Sequence, residues 1–365
     1  MRNKFPGYYK PTADEFNILW NEATIVLDAN VLLDLFRYSD ETVNSLLNII
    51  GTLQARIWIP YQVSFEYHKN LNNVIKTQIE SYQETIKKLE DFKKLLDSKR
   101  SHPFLTNELH QEIQSFCSKF DNELSKKRDI IEKLIVENPI KEKIATLLTN
   151  IGDEFSIDIK TKIFNEGIKR YDEKVPPGYT DKKSKNGNDI YGDLIVWKEI
   201  LEFSITHNKH IILVTGDVKE DWFMQHMGKN VGPRPELIHE FRNSTKLLFY
   251  AYPTHNFLNF ANTHLNSQVT KEVIEEVEEI ASHDKTSYTN TLGNTNLDTL
   301  NNSEVIFTNE NSSSLQNNID DISPSQSSTM EKGFSSSETY NTDNVDSSAT
   351  QDAINNSNFS SGKTQ

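Results

Sequence analysis

One cysteine, Cys117, is all that a chain of 365 residues carries, so no intrachain disulfide framework is open to it, and a reducing compartment suits it. Cys117 falls in a stripe at helical spacing (Ile113, Phe116, Phe120), where a buried structural thiol is expected. No apolar run approaches membrane-spanning length, and the opening "MRNKFPGYYKP" lacks the apolar core of a secretion signal; a soluble, cytoplasmic protein is the expectation. Internal repeats are missing, as are a cluster of Cys and His and a basic domain.

The net charge of −14 is acidic but unevenly placed. Residues 284 to 365 are rich in Ser, Thr and Asn and hold 11 acidic against 3 basic residues, a net −8, with no sustained apolar period. Such a segment cannot bury enough surface to offset its ordering entropy, and it is predicted to be a disordered tail. "KEVIEEVEEIASH" (residues 271–283), an expected acidic helix, adds −4, which leaves residues 1–270 near −2. The acidic total therefore argues little against a nucleic-acid partner. The 36% apolar content points to a packed core in residues 23–270, preceded by an extension at 1–22.

Within that core, "TIVL" reads as a short buried strand and the apolar spacing after Asp28 as a helix face. A helix from Glu41 to Ile50, closed by Gly51, and the β-rich "ARIWIP" come next. "YQVSFEYHKN" opens a long helix with apolar residues at Ile75, Ile79, Tyr82, Ile86, Leu89 and Leu96, and a second such segment follows a break at "SHPF". Together they predict a helical hairpin inserted at about residues 70–172, two solvated amphipathic helices packed on each other and the expected contact for a second copy or another protein. A loop rich in Pro, Gly, Lys and Asp (residues 173–193) precedes a buried helix, the strand "HIILVTGD", and then helix, strand and helix. Strands alternating with helices give an α/β class with a mainly parallel sheet.

Two of these strands end in an acid, Asp28 and Asp217. Ligands gather at the carboxyl ends of strands in parallel sheets, so both belong to one rim. Glu66, in the first turns of the long helix, and Asp193, at the start of the buried helix, can reach it. Four crowded carboxylates repel, and burying them unpaired costs several kcal/mol each. A divalent cation resolves the conflict, and hard oxygen ligands favour Mg or Mn over Zn. Such a cation acidifies water for attack on phosphorus and stabilises phosphate charge, which is the chemistry of a metal-dependent nuclease.

"VLDANVLLDLF", "VSFEYHKN", "YGDLIVWKEI" and "ILVTGDVKEDW", followed by "GPRPELIHEF", resemble the PIN nuclease fold, in particular the bacterial PIN-like group with a helical insertion, over roughly Ala23 to Leu265. The resemblance implies a three-layer α/β/α domain and Mg- or Mn-dependent phosphodiester cleavage, usually of RNA. It makes Asp28, Glu66, Asp193 and Asp217 the metal-site acids, with Asn30 orienting the first and Thr215 as a hydroxyl just before the last. Asp189 and Asp221 are candidates for extra acids.

Every candidate also has an ordinary reading. Asp28, Asp189 and Asp193 can cap helices, Glu66 can be a solvated helical residue, and Asp217 can serve a turn. Asp34 is expected on a helix surface. His68 and Lys69 can touch phosphate or lie on an exposed face, and Trp222 is expected in the core. Arg234, between two prolines, has the planar fork that suits phosphate. Lys182, Lys183 and Lys185 form a basic run beside the expected site, either a phosphate-gripping lid or a solvated loop. A haloacid-dehalogenase-type phosphatase is disfavoured, because Asn30 and Leu32 replace its second Asp and its Thr. A receiver domain would need paired acids at the first strand end. A non-catalytic scaffold, recruiting partners through the insertion and tail, stands as the alternative to the nuclease.

Overall fold

The computed structural model describes residues 1–97, 105–227, 229–265 and 267–282. The break at Ser101 to Phe104 and the expected disordered tail lie outside the described residues. Near the N-terminus, Thr12 and Glu15 form a capping box: the Glu15 amide donates to Thr12 Oγ1 and the Thr12 amide to Glu15 Oε2. Helix α1 (Ala13–Glu22) that it opens buries Leu19 and Trp20 in the core, so the 1–22 extension contributes packed helix.

Strand β1 (Thr24–Leu27) is buried throughout and leads into a short helix, α2 (Ala29–Leu33), which tightens into a 3-10 turn ending at Phe36. Helix α3 (Asp40–Leu53) runs through Gly51, which the sequence predicts as its end; buried Ile49, Ile50 and Leu53 carry the amphipathic face past the glycine. "ARIWIP" forms two single bridges, Ile57 beside Ile25 and Ile59 beside Ile151. Helix α4 (Tyr61–Asp97) buries its first half on the core through Val63, Tyr67, Leu71, Val74, Ile75 and Ile79. Its outer half pairs with α5 (Asn107–Lys133), whose His110 and Gln114 side chains both meet Asp97 at the end of α4. Cys117 is buried as expected, whereas Phe116 is 65% exposed and stacks with Phe120. Helices α6 (Pro139–Leu147) and α7 (Ile157–Asp172) return to the core through Ile144, Ile163 and Tyr171.

Two 3-10 turns, Tyr179–Lys183 and Gly187–Tyr191, fill the predicted loop before α8 (Gly192–His207). Strand β2 (Ile211–Thr215), a two-stranded antiparallel ribbon of β3 (Phe223–His226) and β4 (Lys229–Pro233), α9 (Pro235–Thr245), β5 (Phe249–Pro253) and α10 (Thr254–Leu265) follow. The sheet β1-β2-β5 is parallel, with Leu27 opposite Val214 and Thr215 opposite Pro253. All three strands thus end on one rim, and the helical crossovers between them are what parallel pairing requires. A last helix, α11 (271–282), packs Val273 and Val277 into the core. Among the described residues, no helix is long and apolar enough to cross a membrane.

Candidate active site

Asp28 follows β1 directly and does two things at once. Its Oδ1 accepts from the Ala29 amide (2.7 Å), capping α2, while its Oδ2 accepts from the Thr215 hydroxyl (2.6 Å) at the end of the neighbouring strand. Burial pushes its carboxyl up to about 6; Thr215 acts against this, and the negative charges of Glu66 and Asp217 add to it. Thr215 Oγ1 also accepts from the Asp217 amide (2.9 Å), so one hydroxyl ties the first acid to the last. Asn30 is exposed and reaches Asp28 Oδ2 only at 3.5 Å, a weak orienting contact beside that of Thr215.

Glu66 and Asp193 meet through backbone. A Cβ on Gly192 would collide with Glu66 Oε1, so that carboxylate lies against the residue preceding Asp193. Gln62 Nε2 donates to Glu66 Oε1 (2.8 Å), and the Gln62 amide donates to Oε2 of Glu199 (3.1 Å). Glu199 is buried on α8; burial pushes it up to about 8, and its Oε1 has no hydrogen-bond partner among the described residues. Asp193 Oδ2 accepts from Trp222 Nε1 (3.2 Å), and Trp222 is packed in the core as expected. Burial, with Asp181 and Asp217 nearby, raises the Asp193 carboxyl well above the ordinary range, against Lys185 and Lys219.

Asp217 holds the Lys219 amide on Oδ1 (2.9 Å) and the Lys219 ammonium on Oδ2 (2.8 Å). The same ammonium reaches Asp181 Oδ1 (2.9 Å), and Lys185 reaches Asp181 Oδ2 (2.5 Å). Asp221 is fully buried and accepts from the Thr180 amide and hydroxyl on Oδ2; burial first, then Asp217, raises its carboxyl against those hydrogen bonds. Asp181, Lys219 and Glu199 carry no local motif, so nothing in the sequence singles them out as members of the site.

Other candidates are engaged elsewhere. Asp189 lies in the 3-10 turn before α8, exposed and ion-paired with Lys69 (2.7 Å), and α8 starts too late to put it on the Asp193 face. His68 is exposed and bonded to the Ser64 carbonyl, and Lys183 is exposed on its 3-10 turn. Arg234 precedes α9 and forks onto both oxygens of Glu236 (2.6 and 3.0 Å), so its bidentate face is taken within the chain. Asp34 corrects its surface expectation: it is 4% exposed, ion-paired with Arg37 (2.6 Å), and its carboxylate would lie 3.0 Å from a Cβ on Gly216. The 3-10 turn after α2 rotates Asp34 inward toward the rim.

The donor chemistry here, hard carboxylate oxygens whose charged forms are disfavoured by burial and mutual repulsion, suits a divalent cation. Among the described residues, however, no three His, Cys, Asp or Glu side chains are arranged to hold one metal ion, and Lys219 bridges Asp217 to Asp181. The acids converge, and lysine supplies the positive charge between them.

Residues 24–237, more than half of the chain, match the family model described as "PIN like domain". The chain belongs to that family. The match covers Asp28, Glu66, Asp193 and Asp217 and runs into α9 of the PIN-like domain. No curated protein and no solved structure matches the chain.

Proposed function

We propose that the protein is a metal-dependent nuclease that hydrolyses phosphodiester bonds, acting as an endoribonuclease. PIN-like domains are generally nucleases and typically use divalent metals. The observation that supports the reading here is the meeting of four acids from separate stretches, Asp28, Glu66, Asp193 and Asp217, where β1 and β2 end. These four are the proposed ligands of Mg or Mn, although as they stand no three acids among the described residues are set around one ion; the metal when bound would acidify water and offset charge on the phosphate oxygens. Thr215 orients Asp28 and the start of the Asp217 turn, Gln62 orients Glu66, and Trp222 orients Asp193. Asp221, with Oδ1 unpaired among the described residues, is a reserve acid near Asp217, and Asp189, ion-paired with Lys69, is a further reserve acid before α8. His68 and Lys183, both exposed, are outlying contacts for the nucleic-acid backbone, which Arg234 and Lys69 join only by leaving Glu236 and Asp189.

In this reading a three-layer nuclease domain spans 23–270 and works in the cytoplasm, with the insertion at about 70–172 a contact for another copy or protein. The acidic helix, packed on the core through Val273 and Val277, and then the tail follow the domain in sequence. The competing scaffold reading draws on the exposed Phe116 and Phe120 of α5, which offer an apolar contact away from the acids.

The test is cleavage of single-stranded and structured RNA and DNA by the purified full chain in Mn or Mg, with a chelator control. RNA is expected to be cut, and Asp28→Asn and Asp217→Asn are each expected to lower the rate about 100-fold or more, beyond what losing a supporting group does. If no nucleic acid is cut with either metal, and Asp28→Asn behaves in cells like the unaltered protein, the scaffold reading replaces the nuclease.

A further inference from the structure

The carboxylate rim raises a difficulty for its own substrate: a phosphodiester carries negative charge and is repelled by the acids that are to act on it. Of the cations that the sequence points to, Arg234 is forked onto Glu236 and Lys69 is paired with Asp189, while Lys185 of the basic run before α8 lies beside the acids. Lys219, which the sequence does not point to, stands there with it. Lys185 lies within electrostatic reach of Asp193 and Glu66, and Lys219 within reach of Asp193 and Asp217.

What holds them there is Asp181, which has no exposed surface and gives one oxygen to each lysine, Oδ1 to Lys219 (2.9 Å) and Oδ2 to Lys185 (2.5 Å). A carboxylate that deeply buried is costly unless it is paired, and here two ammonium groups answer a single charge. Asp217 answers Lys219 a second time (2.8 Å), whereas Lys185 shares Asp181 with that lysine and is ion-paired with Asp181 alone among the described residues, so Lys185 is the less fully answered of the two charges. The arrangement of the trio is one-sided: Asp181 is sealed off, while the Lys185 and Lys219 side chains keep 36% and 28% of their surface open. An ammonium has three donors, and Lys185 shows one ion pair among the described residues, so it can take up an anion without leaving Asp181.

We propose that Lys185 and Lys219, both positioned by Asp181, form a phosphate-binding pair that holds the nucleic-acid backbone against the carboxylate rim. This rests on the nuclease reading and adds to it the contact that counters the repulsion. Lys185 and Lys219 touch the substrate, and Asp181 is a positioning residue that acts through them. The same trio explains why the loop before α8 lies on the rim: Asp181 on its first 3-10 turn reaches across to Lys219, beyond β2.

The test uses the full chain and a labelled single-stranded RNA oligonucleotide in chelator, so that binding is read by anisotropy without cleavage, over a range of salt. Removing one lysine that neutralises a phosphate lowers the slope of log affinity against log salt by about 0.7 for a single strand. Lys185→Gln is expected to lower the slope by about that amount, Lys185→Arg to retain it, and Lys185→Gln combined with Lys219→Gln to lower it about twice as far. Asp181→Asn is expected to melt lower, and at a temperature where its circular dichroism still matches that of the unaltered chain it is expected to weaken binding and lower the slope, which a structural role alone would not do. Should Lys219→Gln fail to fold, Lys185→Gln and its arginine rescue decide the matter. If the unaltered chain binds and, with Mn, cuts RNA, but Lys185→Gln keeps the full slope, the phosphate pair is overturned and the nuclease stands. If the unaltered chain neither binds nor cuts, the nuclease reading falls and takes the phosphate pair with it.

Discussion

Thr215 Oγ1 gives its proton to Asp28 Oδ2 at 2.6 Å and accepts from the Asp217 amide at 2.9 Å, so Thr215→Val, nearly the same shape, strips both acids of a common partner. Leaving buried polar groups without their bond costs about 1–3 kcal/mol, read by urea denaturation. The hydroxyl also favours the charged form of Asp28, which is why burial raises that carboxyl no further than about 6. In Thr215→Val the Asp28 midpoint moves higher still, as a carboxyl titration by NMR would show. Asn30→Ala, which removes a contact at 3.5 Å, is expected to shift it far less. Equal shifts from the two variants would return to Asn30 the orienting role that geometry gives to Thr215. At this scale the sequence is legible where a residue announces itself locally: Asp28 after a β-rich run is both helix cap and rim acid, and the two readings are two oxygens of one group. Asp34 escapes such a reading because its burial depends on a turn tightening to 3-10 and on the approach of Gly216, neither of which a helical period encodes.

Among the elements, α11 is joined to the body by both apolar and polar contacts. Glu276 accepts from the Ser39 amide (2.5 Å), the Ser39 hydroxyl (2.7 Å) and the Thr42 hydroxyl (2.6 Å), placing a carboxylate at the N-terminus of α3, where the helix dipole favours it. Burial opposes ionisation there, but these bonds from Thr42 and Ser39 win and hold Glu276 below its ordinary range. Glu276→Ala should cost about 1–2 kcal/mol and speed hydrogen exchange across 271–282 relative to the rest of the fold. Exchange unchanged in that helix would mean that Val273 and Val277 alone keep it in place. Strands β1, β2 and β5 and helix α8 are readable as apolar runs buried nearly throughout, and helices α4, α9 and α10 by their apolar periods. The β3–β4 ribbon is not: β4 begins Lys229, Asn230 and exposes most of its side chains, so pairing with β3 rather than strand propensity makes it a strand. Asp181 is out of reach for a related reason, since its partner Lys219 is 38 residues away and only the folded loop brings them together.

Over the whole molecule, ionisable groups pull stability in opposite directions. Burial raises Asp28 to about 6, Glu199 to about 8, and Asp193 and Asp221 above their ordinary range. A carboxyl raised by folding binds its proton more tightly in the folded state, so it costs stability as pH climbs from its unfolded to its folded value, and the full cost remains above that. Asp181 and Glu240 are displaced the other way, since Lys219 and Lys185 on one, and Arg170 on the other, outweigh burial; their stabilisation is present above the ordinary carboxylate range and lost as pH falls through the folded value. Burial also lowers His210 and His255, which costs stability once pH drops below the ordinary histidine range. Asp28 can be isolated from this sum by Asp28→Asn, because asparagine caps a helix about as well as aspartate but never ionises. Without metal, Asp28→Asn is relieved of about 3 kcal/mol at pH 8, the worth of a carboxyl raised from 3.8 to about 6, and loses about 1 kcal/mol because one amide oxygen cannot accept from both Ala29 and Thr215; it is expected to be the more stable by about 2 kcal/mol, and that advantage should vanish as pH falls through 6 toward 4. Mn should reverse the order: at pH 8 it raises the melting temperature of the unaltered chain and not of Asp28→Asn. At pH 5 protons hold about nine-tenths of the Asp28 sites, so Mn affinity drops about tenfold through this acid alone and the stabilisation shrinks by about 1.4 kcal/mol. A Mn effect of the same size at both pH values, or a gap between the two proteins that does not close on acidification, would remove Asp28 from the metal site and leave it as the cap of α2.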